Sequence, residues 1–349
     1  MLRNPGPALG ELGARSEVFA LAEPIPSETP EAAWFGMDPS TVALRPGPLA
    51  VAAFGVDPPE RSVQFQVDVM ALKDGVLAVP DAGPGSAALD RIHQLAARLE
   101  TSKLRWVQGD GLRHGLVWEN GSIEMETRSP ESCAGKEWHD SLPVGDGEPL
   151  LRRFVDDSVN LLAEEEFNLR RVDEGLLPLN VLWPWGQGFR EPVPNLWLER
   201  GERLHLESRS LRLEGLARLA RCTHGDRTIS GKGIAIPMLL LAESALERSP
   251  IVIVIDAFEA LRREERWEEA EWLLARLDAE LLEPILAKLR AGDTRVAVFA
   301  PGLAGRGVGM VAESGPPVEG PWPFDERLLE EAKAPERTTW QAVRQAVAP

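Results

Sequence analysis

The alternation of apolar and polar residues predicts a small sheet in the first half of the chain. From Val63 to Val69 every second residue is apolar, which is the period of a half-buried strand. Lys73-Asp74-Gly75 follows as a hairpin turn, and Val76–Val79 is the returning strand. A helical apolar pattern over Ser86–Leu99 and two further strand-like runs complete an inserted α+β domain over residues 41–149.

Apolar runs without alternation are typical of the second half of the chain. Ile251–Ile255 and Thr294–Ala300 lie between helical segments, as parallel strands do when helices cover both faces of their sheet. We therefore predict an α/β fold with a doubly wound, mostly parallel sheet. This sheet is assigned to residues 1–40 and 150–349 together.

Helical periodicity predicts three further segments. A short helix is expected near Leu9–Ala22, an amphipathic helix over Leu150–Leu169, and a long charged helix over Glu259–Leu289 that is interrupted near Pro284. Nothing before Ser27 has the pattern of an apolar strand that ends in Asp-Gly.

The central run Leu179–Arg190 has the composition of a buried strand that leads into a tight loop. Trp183 and Trp185 offer aromatic faces and indole donors, and Arg190 offers a guanidinium for an oxyanion. This run has two possible interpretations: a ligand-binding loop, or a strand end at which the tryptophans pack into the core.

Composition narrows the class of protein. The formal charge of −17 disfavours nucleic acid and anionic membrane surfaces as partners. Two cysteines, Cys133 and Cys222, in 349 residues indicate a reducing compartment, and no long apolar segment or signal peptide is evident. We expect a cytoplasmic globular protein with no nucleic-acid or membrane partner.

Several short motifs occur in a fixed order along the chain: Ser27–Pro30 with Gly36–Pro39, Gly47-Pro48-Leu49, Phe65–Asp68, Leu112-Arg113-His114, Asn168 with Arg171, Gly175 with Asn180, Trp183–Gly188 and Gly231-Lys232. Together they resemble the archaeal-type 2,3-bisphosphoglycerate-independent phosphoglycerate mutases of the alkaline phosphatase superfamily. The resemblance implies an alkaline-phosphatase-like sheet that carries the inserted domain.

The resemblance also implies a set of site residues. Ser27 matches the family's nucleophile, although a helix N-cap is its simpler role. The substrate-binding positions implied are Arg113, His114, Trp185, Gln187, Arg190 and Lys232. A turn-closing arginine and a surface histidine are equally good readings of Arg113 and His114, and the phosphate-loop signal around Lys232 is weak because the P-loop spacing is missing.

The family's chemistry uses two divalent metals held by Asp and His ligands, and this sequence departs from that pattern. Arg263 stands where the family has a histidine, and Pro301-Gly302 where it has Asp-His. Gln66 and Asp68 replace the family's Arg and Asn. A guanidinium repels a cation, so we expect no metal cofactor, with Asp256 and Glu259 as weak candidate ligands only.

Three hypotheses remain open. The first is a degenerate member that binds a phosphorylated small molecule or a protein partner without catalysis. The second is an active mutase that interconverts 3- and 2-phosphoglycerate in glycolysis with an unusual metal site built from Asp256, Glu259, Glu28 and Glu31. The third is a partner subunit of a genuine mutase.

Overall fold

A computed structural model gives the structure of the chain. It describes residues 6–21, 30–38, 44–80, 83–193, 196–225, 235–248, 250–292, 294–300, 307–312, 336–337 and 341. The contacts divide the chain into two compact units. We call residues 44–192 with 210–219 the insert unit, and the remaining described residues the outer unit.

The strands are β1 Ser16–Leu21, β2 Ser62–Lys73, β3 Val76–Ala78, β4 Leu104–Asp110, β5 Arg113–Glu119, β6 Met125–Glu126, β7 Val144–Gly145, β8 Val181–Gly188, β9 His205–Glu207, β10 Thr223–His224, β11 Ile251–Ile253, β12 Val296–Ala300, β13 Gly307–Ala312 and β14 Glu336–Arg337. The helices are α1 Pro7–Ala14, α2 Pro30–Trp34, α3 Pro46–Ala53, α4 Ser86–Ala96, α5 Pro130–Cys133, α6 Glu148–Leu162, α7 Glu166–Asp173, α8 Leu196–Glu199, α9 Leu211–Leu219, α10 Met238–Glu247, α11 Ala257–Arg263, α12 Trp267–Arg276 and α13 Glu283–Ala291. A π-helical segment, Leu277–Leu282, joins α12 to α13. None of the described helices is long and apolar enough to cross a membrane.

An antiparallel sheet forms the centre of the insert unit. Its strands lie in the order β3-β2-β5-β4, and β8 also pairs with β2. Val63, Phe65 and Val67 of β2 are fully buried, as the alternation predicts. The β2–β3 hairpin is confirmed, with Asp74 and Gly75 both at positive φ, the geometry of a type I′ turn.

The central strand β8 belongs to this sheet and not to the parallel one. Its residues 181–188 run antiparallel to β2, so that Asp68 lies between Trp183 on one side and Arg113 on the other. The insert unit therefore extends beyond the predicted 41–149, because hydrogen bonds to β2 hold the later strand in the same unit. Helix α6 packs on β8 and ends at Leu162, and α7 follows as a separate helix, where one helix to Leu169 was predicted.

The outer unit contains two smaller sheets. Strands β10, β9 and β11 are parallel, in agreement with a predicted parallel sheet. Strand β12 was predicted to be parallel as well, but it pairs antiparallel with β13. Unalternating apolar sequence reports burial of both faces and does not fix strand direction.

The expected helix over Leu9–Ala22 is wrong in its second half. The helix ends at Ala14, and residues 16–21 form β1, which pairs antiparallel with β13 and parallel with β14. Val18 and Phe19 are β-branched and aromatic residues that suit a strand, and the distant partner strand decides the outcome.

Candidate functional site

An open cleft of about 610 Å³ in the insert unit is the candidate ligand site. Its apolar wall consists of Pro46, Ile123, Met125 and Trp185. Its charged residues are Arg45, Arg128 and Glu126, and Thr127, Ser129 and Gln187 add polar groups. Two guanidiniums against one carboxylate give the lining a positive balance in a strongly acidic chain.

Close backbone approach at the end of β8 shapes one wall of the cleft. Gly186 has φ +65°, and a Cβ placed on it would lie 2.7 Å from the Pro46 side chain. A side chain at Gly188 would meet the Arg45 side chain at the same distance. The two glycines therefore let the residues at the start of α3 lie directly against the Trp185–Gly188 end of β8.

Hydrogen bonds connect the two walls of the cleft. The Gly186 amide donates to Thr127 Oγ1 at 3.1 Å, and the Thr127 hydroxyl donates to Gln187 Oε1. Gln187 Nε2 donates to the Met125 carbonyl, and Trp183 Nε1 donates to the Arg128 carbonyl at 2.8 Å. This network fixes the end of β8 against the segment 125–128.

Asp68 fixes the indole of Trp185. The Trp185 Nε1–H donates to Asp68 Oδ2, which also accepts from Gln66 Nε2 at 2.8 Å. Burial raises the pKa of Asp68, and these two donors and Arg113, whose Nε lies 3.9 Å from Oδ1, oppose that rise. The two replacements Gln66 and Asp68 thus form one hydrogen-bonded group behind the tryptophan.

The structure places only some of the predicted substrate-binding residues at the cleft. Trp185 and Gln187 line the cleft, and Arg113 is exposed near Asp68. Arg190 is exposed and forms an ion pair with Asp57. Lys232, like Ser27 and Glu28, lies outside the described residues, as do Pro301 and Gly302.

His114 is fully buried and not at a surface. Its ring lies 4.9 Å from the rings of both His93 and Trp106, and its Nδ1 accepts from the Gly109 amide at 3.1 Å. Burial, and then the neighbouring His93, lower the pKa of His114 to about 3. A neutral, enclosed imidazole suits a structural role in this core.

The weak metal candidates occupy α11 and the residue before it. Asp256 Oδ1 accepts from Arg209 Nη2 at 3.1 Å, so a guanidinium already neutralises this carboxylate. Glu259 and Arg263 lie in α11, and Glu31 lies in α2.

Arg45 and Arg128 were not predicted as site residues. Arg45 immediately precedes the Pro46-Gly47-Pro48-Leu49 segment that carries part of the family likeness, and this adjacency was a usable signal. Arg128 lies in a polar loop between β6 and α5 with no motif around it, so its place at the cleft follows only from the fold.

Comparison with solved structures defines the class of fold. A cofactor-independent phosphoglycerate mutase from Thermoplasma acidophilum aligns over 99% of this chain and 92% of its own, with a TM-score of 0.58 and 18% identity. A protein of Pyrococcus horikoshii aligns over 99% of this chain and 90% of its own, with a TM-score of 0.74 and 15% identity. The chain thus has the alkaline-phosphatase-like α/β fold.

Sequence comparison then shows which known proteins part of the chain resembles. Residues 9–168 match the profile of the 2,3-bisphosphoglycerate-independent phosphoglycerate mutases. Enzymes of that name from Methanosarcina acetivorans and Methanosarcina mazei are each 29% identical to it, over 52% of this chain and 48% of their own length. The likeness to this family over the matched region agrees with the predicted resemblance, and the chain spans about half the length of these curated relatives.

The expectation of no metal cofactor is contradicted by the family, whose members are metal-dependent. Among the described residues, no group of three or more His, Cys, Asp or Glu side chains could hold an ion, and Asp256 is paired with Arg209. The described residues do not make a metal site by themselves.

Proposed function

We propose that this phosphoglycerate mutase relative binds a small phosphorylated molecule in the insert-unit cleft, and that its phosphoryl transfer is lost or severely reduced. The observation that carries the binding role is the pair of guanidiniums, Arg45 and Arg128, beside a wall that the Asp68–Trp185 bond fixes. Guanidinium forks match phosphate oxygens in shape and charge.

Sequence departures support the reduced chemistry. By the sequence resemblance, Arg263 falls where the family has a histidine, and Gln66 and Asp68 fall where it has an Arg and an Asn. The carboxylate of Asp68 in place of a neutral amide and the absence of the strand guanidinium both weaken the hold on an anionic transition state.

Titration calorimetry with 3-phosphoglycerate and with glycerate tests the binding role. We expect 3-phosphoglycerate to bind and glycerate to give no heat. Arg128→Gln should weaken binding about tenfold or more, because a charge-assisted hydrogen bond to phosphate is lost. Arg153→Gln is the matched control, since Arg153 is an exposed arginine of α6 in the same unit. Equal affinity of wild type and Arg128→Gln would contradict the proposal.

The second candidate is an active mutase, which the family match favours. Phosphorus NMR with 3-phosphoglycerate and manganese decides between the two, because manganese supplies the metal that the family needs. We expect no 2-phosphoglycerate above the uncatalysed background. Turnover that Ser27→Ala abolishes would establish the mutase instead.

A further inference from the structure

The cleft has little free hydrogen-bonding capacity for a small, hydroxyl-rich acid. The hydroxyl of Thr127 donates to Gln187 and accepts from the Gly186 amide. Gln187 donates to the Met125 carbonyl, and the Ser129 hydroxyl accepts from the Ser132 amide at 3.3 Å. The hydrogen bonds of these side chains hold the walls of the cleft together. The same groups are therefore poorly placed to form hydrogen bonds with the hydroxyls of a three-carbon ligand.

The side chains that remain available to bind a ligand are cationic and aromatic. Arg45 has no ion pair to any described residue, and Arg128 uses Nη1 on the Asp140 carbonyl at 2.9 Å, which leaves its other N–H groups for a ligand. Trp185 is half-buried, and its Nε1 is bound to Asp68, so the orientation of its ring is set before a ligand arrives. A preset ring loses little conformational freedom when a planar group stacks on it.

The volume of the cleft also favours a ligand larger than a three-carbon acid. A volume of about 610 Å³ lies in the range of clefts that hold ligands much larger than a phosphorylated three-carbon acid. Ile123 and Pro46 also line the cleft and add apolar surface to that of the indole.

We propose that the cleft takes an organic phosphate that carries a planar aromatic ring, of the nucleoside monophosphate class, with the phosphate at the arginines and the base on Trp185. This rests on the proposed function, since it names the class of phosphorylated molecule that the same cleft binds. It requires no covalent step.

Calorimetry with adenosine 5′-monophosphate and ribose 5-phosphate tests the ring, because the nucleotide carries adenine where the sugar phosphate carries its anomeric hydroxyl. We expect the nucleotide to bind about tenfold more tightly, the gain expected from stacking one base on an aromatic side chain. Adenosine without phosphate should bind at least tenfold more weakly than the nucleotide, since it forgoes the guanidiniums.

Trp185→Leu should reduce the affinity for the nucleotide to that for ribose 5-phosphate, while Trp185→Phe should keep most of the difference. The matched control is Trp267→Leu, an exposed tryptophan of the outer unit, which should leave both affinities unchanged. The ratio of the two ligands on the wild-type protein decides the matter even if a Trp185 variant fails to fold.

Each outcome has a distinct meaning. Equal binding of nucleotide and ribose 5-phosphate overturns the aromatic class and leaves the phosphate site standing. Binding of adenosine as tight as that of the nucleotide overturns the role of the arginines. If nucleotide, ribose 5-phosphate and 3-phosphoglycerate all fail to bind, the proposed function falls together with this inference.

Discussion

Asp68 shows how one substitution changes the chemistry of a neighbourhood. An amide at this position would be neutral, whereas the carboxylate accepts two hydrogen bonds and stands 3.9 Å from Arg113. Its raised pKa means that the folded protein holds this proton more tightly than the unfolded chain does. The ionised carboxylate is thus an unfavourable group that the two neutral donors partly stabilise.

The titration of His114 makes the free energy of unfolding depend on pH with the sign opposite to that expected from Asp68. Its pKa in the folded protein is about 3, against 6.5 for the free side chain, so the unfolded chain takes up a proton that the folded chain refuses. The free energy of unfolding therefore falls as pH falls from 6.5 towards 3, by up to about 1.4 kcal/mol per pH unit. The lowered pKa of His93, which burial causes, adds to the same effect.

We predict that His114→Gln flattens this dependence, because glutamine does not titrate and can still accept from the Gly109 amide. Urea unfolding midpoints at several pH values between about 7.5 and about 4.5, a range that spans the titration of the unfolded chain's histidines, measure it. His139→Gln, at an exposed site, is the control and should follow wild type. Identical slopes for His114→Gln and wild type would refute the assignment.

At the scale of elements, the end of β8 depends on glycine. Gly186→Ala places a side chain at positive φ and against Pro46, which we expect to cost about 2 kcal/mol and to weaken phosphate binding. Gly85→Ala is the control, because its φ is −70° and nothing lies within 4 Å of its Cβ position. Thermal unfolding of both variants measures the difference. A Gly186→Ala protein as stable as Gly85→Ala would show that the end of β8 does not need glycine at position 186.

Local signals predicted much of the fold. The period-two pattern of β2 and the Asp74-Gly75 turn are encoded within a few residues, and the structure confirms both. Pairing over long distances is not encoded locally. Residues 16–21 have no sequence feature that reveals β13 as their partner, and β8 has none that reveals β2.

In the candidate site, too, local motifs could be predicted from the sequence and long-range contacts could not. Trp185 and Gln187 were predicted through a motif with a fixed order of residues, whereas Arg128 enters the cleft through the Trp183 bond to its carbonyl, which no spacing predicts. His114 matched a motif, yet burial among His93 and Trp106 determines its chemistry.

At the scale of the whole molecule, the insert unit is discontinuous in sequence. Helix α9 belongs to it because α9 lies against α3 so closely that a Cβ on Gly215 would be 2.0 Å from the Leu49 carbonyl oxygen. Leu211 packs with Ala50 and Ala53 of α3. Residues 193–209 lead from the unit's last strand to this helix.

We predict that a fragment of residues 44–219 unfolds cooperatively at a higher temperature than a fragment of residues 44–192. The shorter fragment exposes the apolar face of α3 that α9 covers, so it should also bind the dye ANS. Circular dichroism on heating measures the difference. Equal melting temperatures would show that α9 contributes nothing to the unit.

The pairing of β1 with β13 has a consequence for synthesis on the ribosome. Strand β1 is made before its partner β13, which follows roughly 290 residues later, a delay on the order of 15 to 60 seconds at usual translation rates. During that time the backbone groups of β1 have no β13 to bind, and an unpaired strand attracts other unpaired strands. Until β13 has been made, β1 is therefore a strand with an edge open to pairing with other chains.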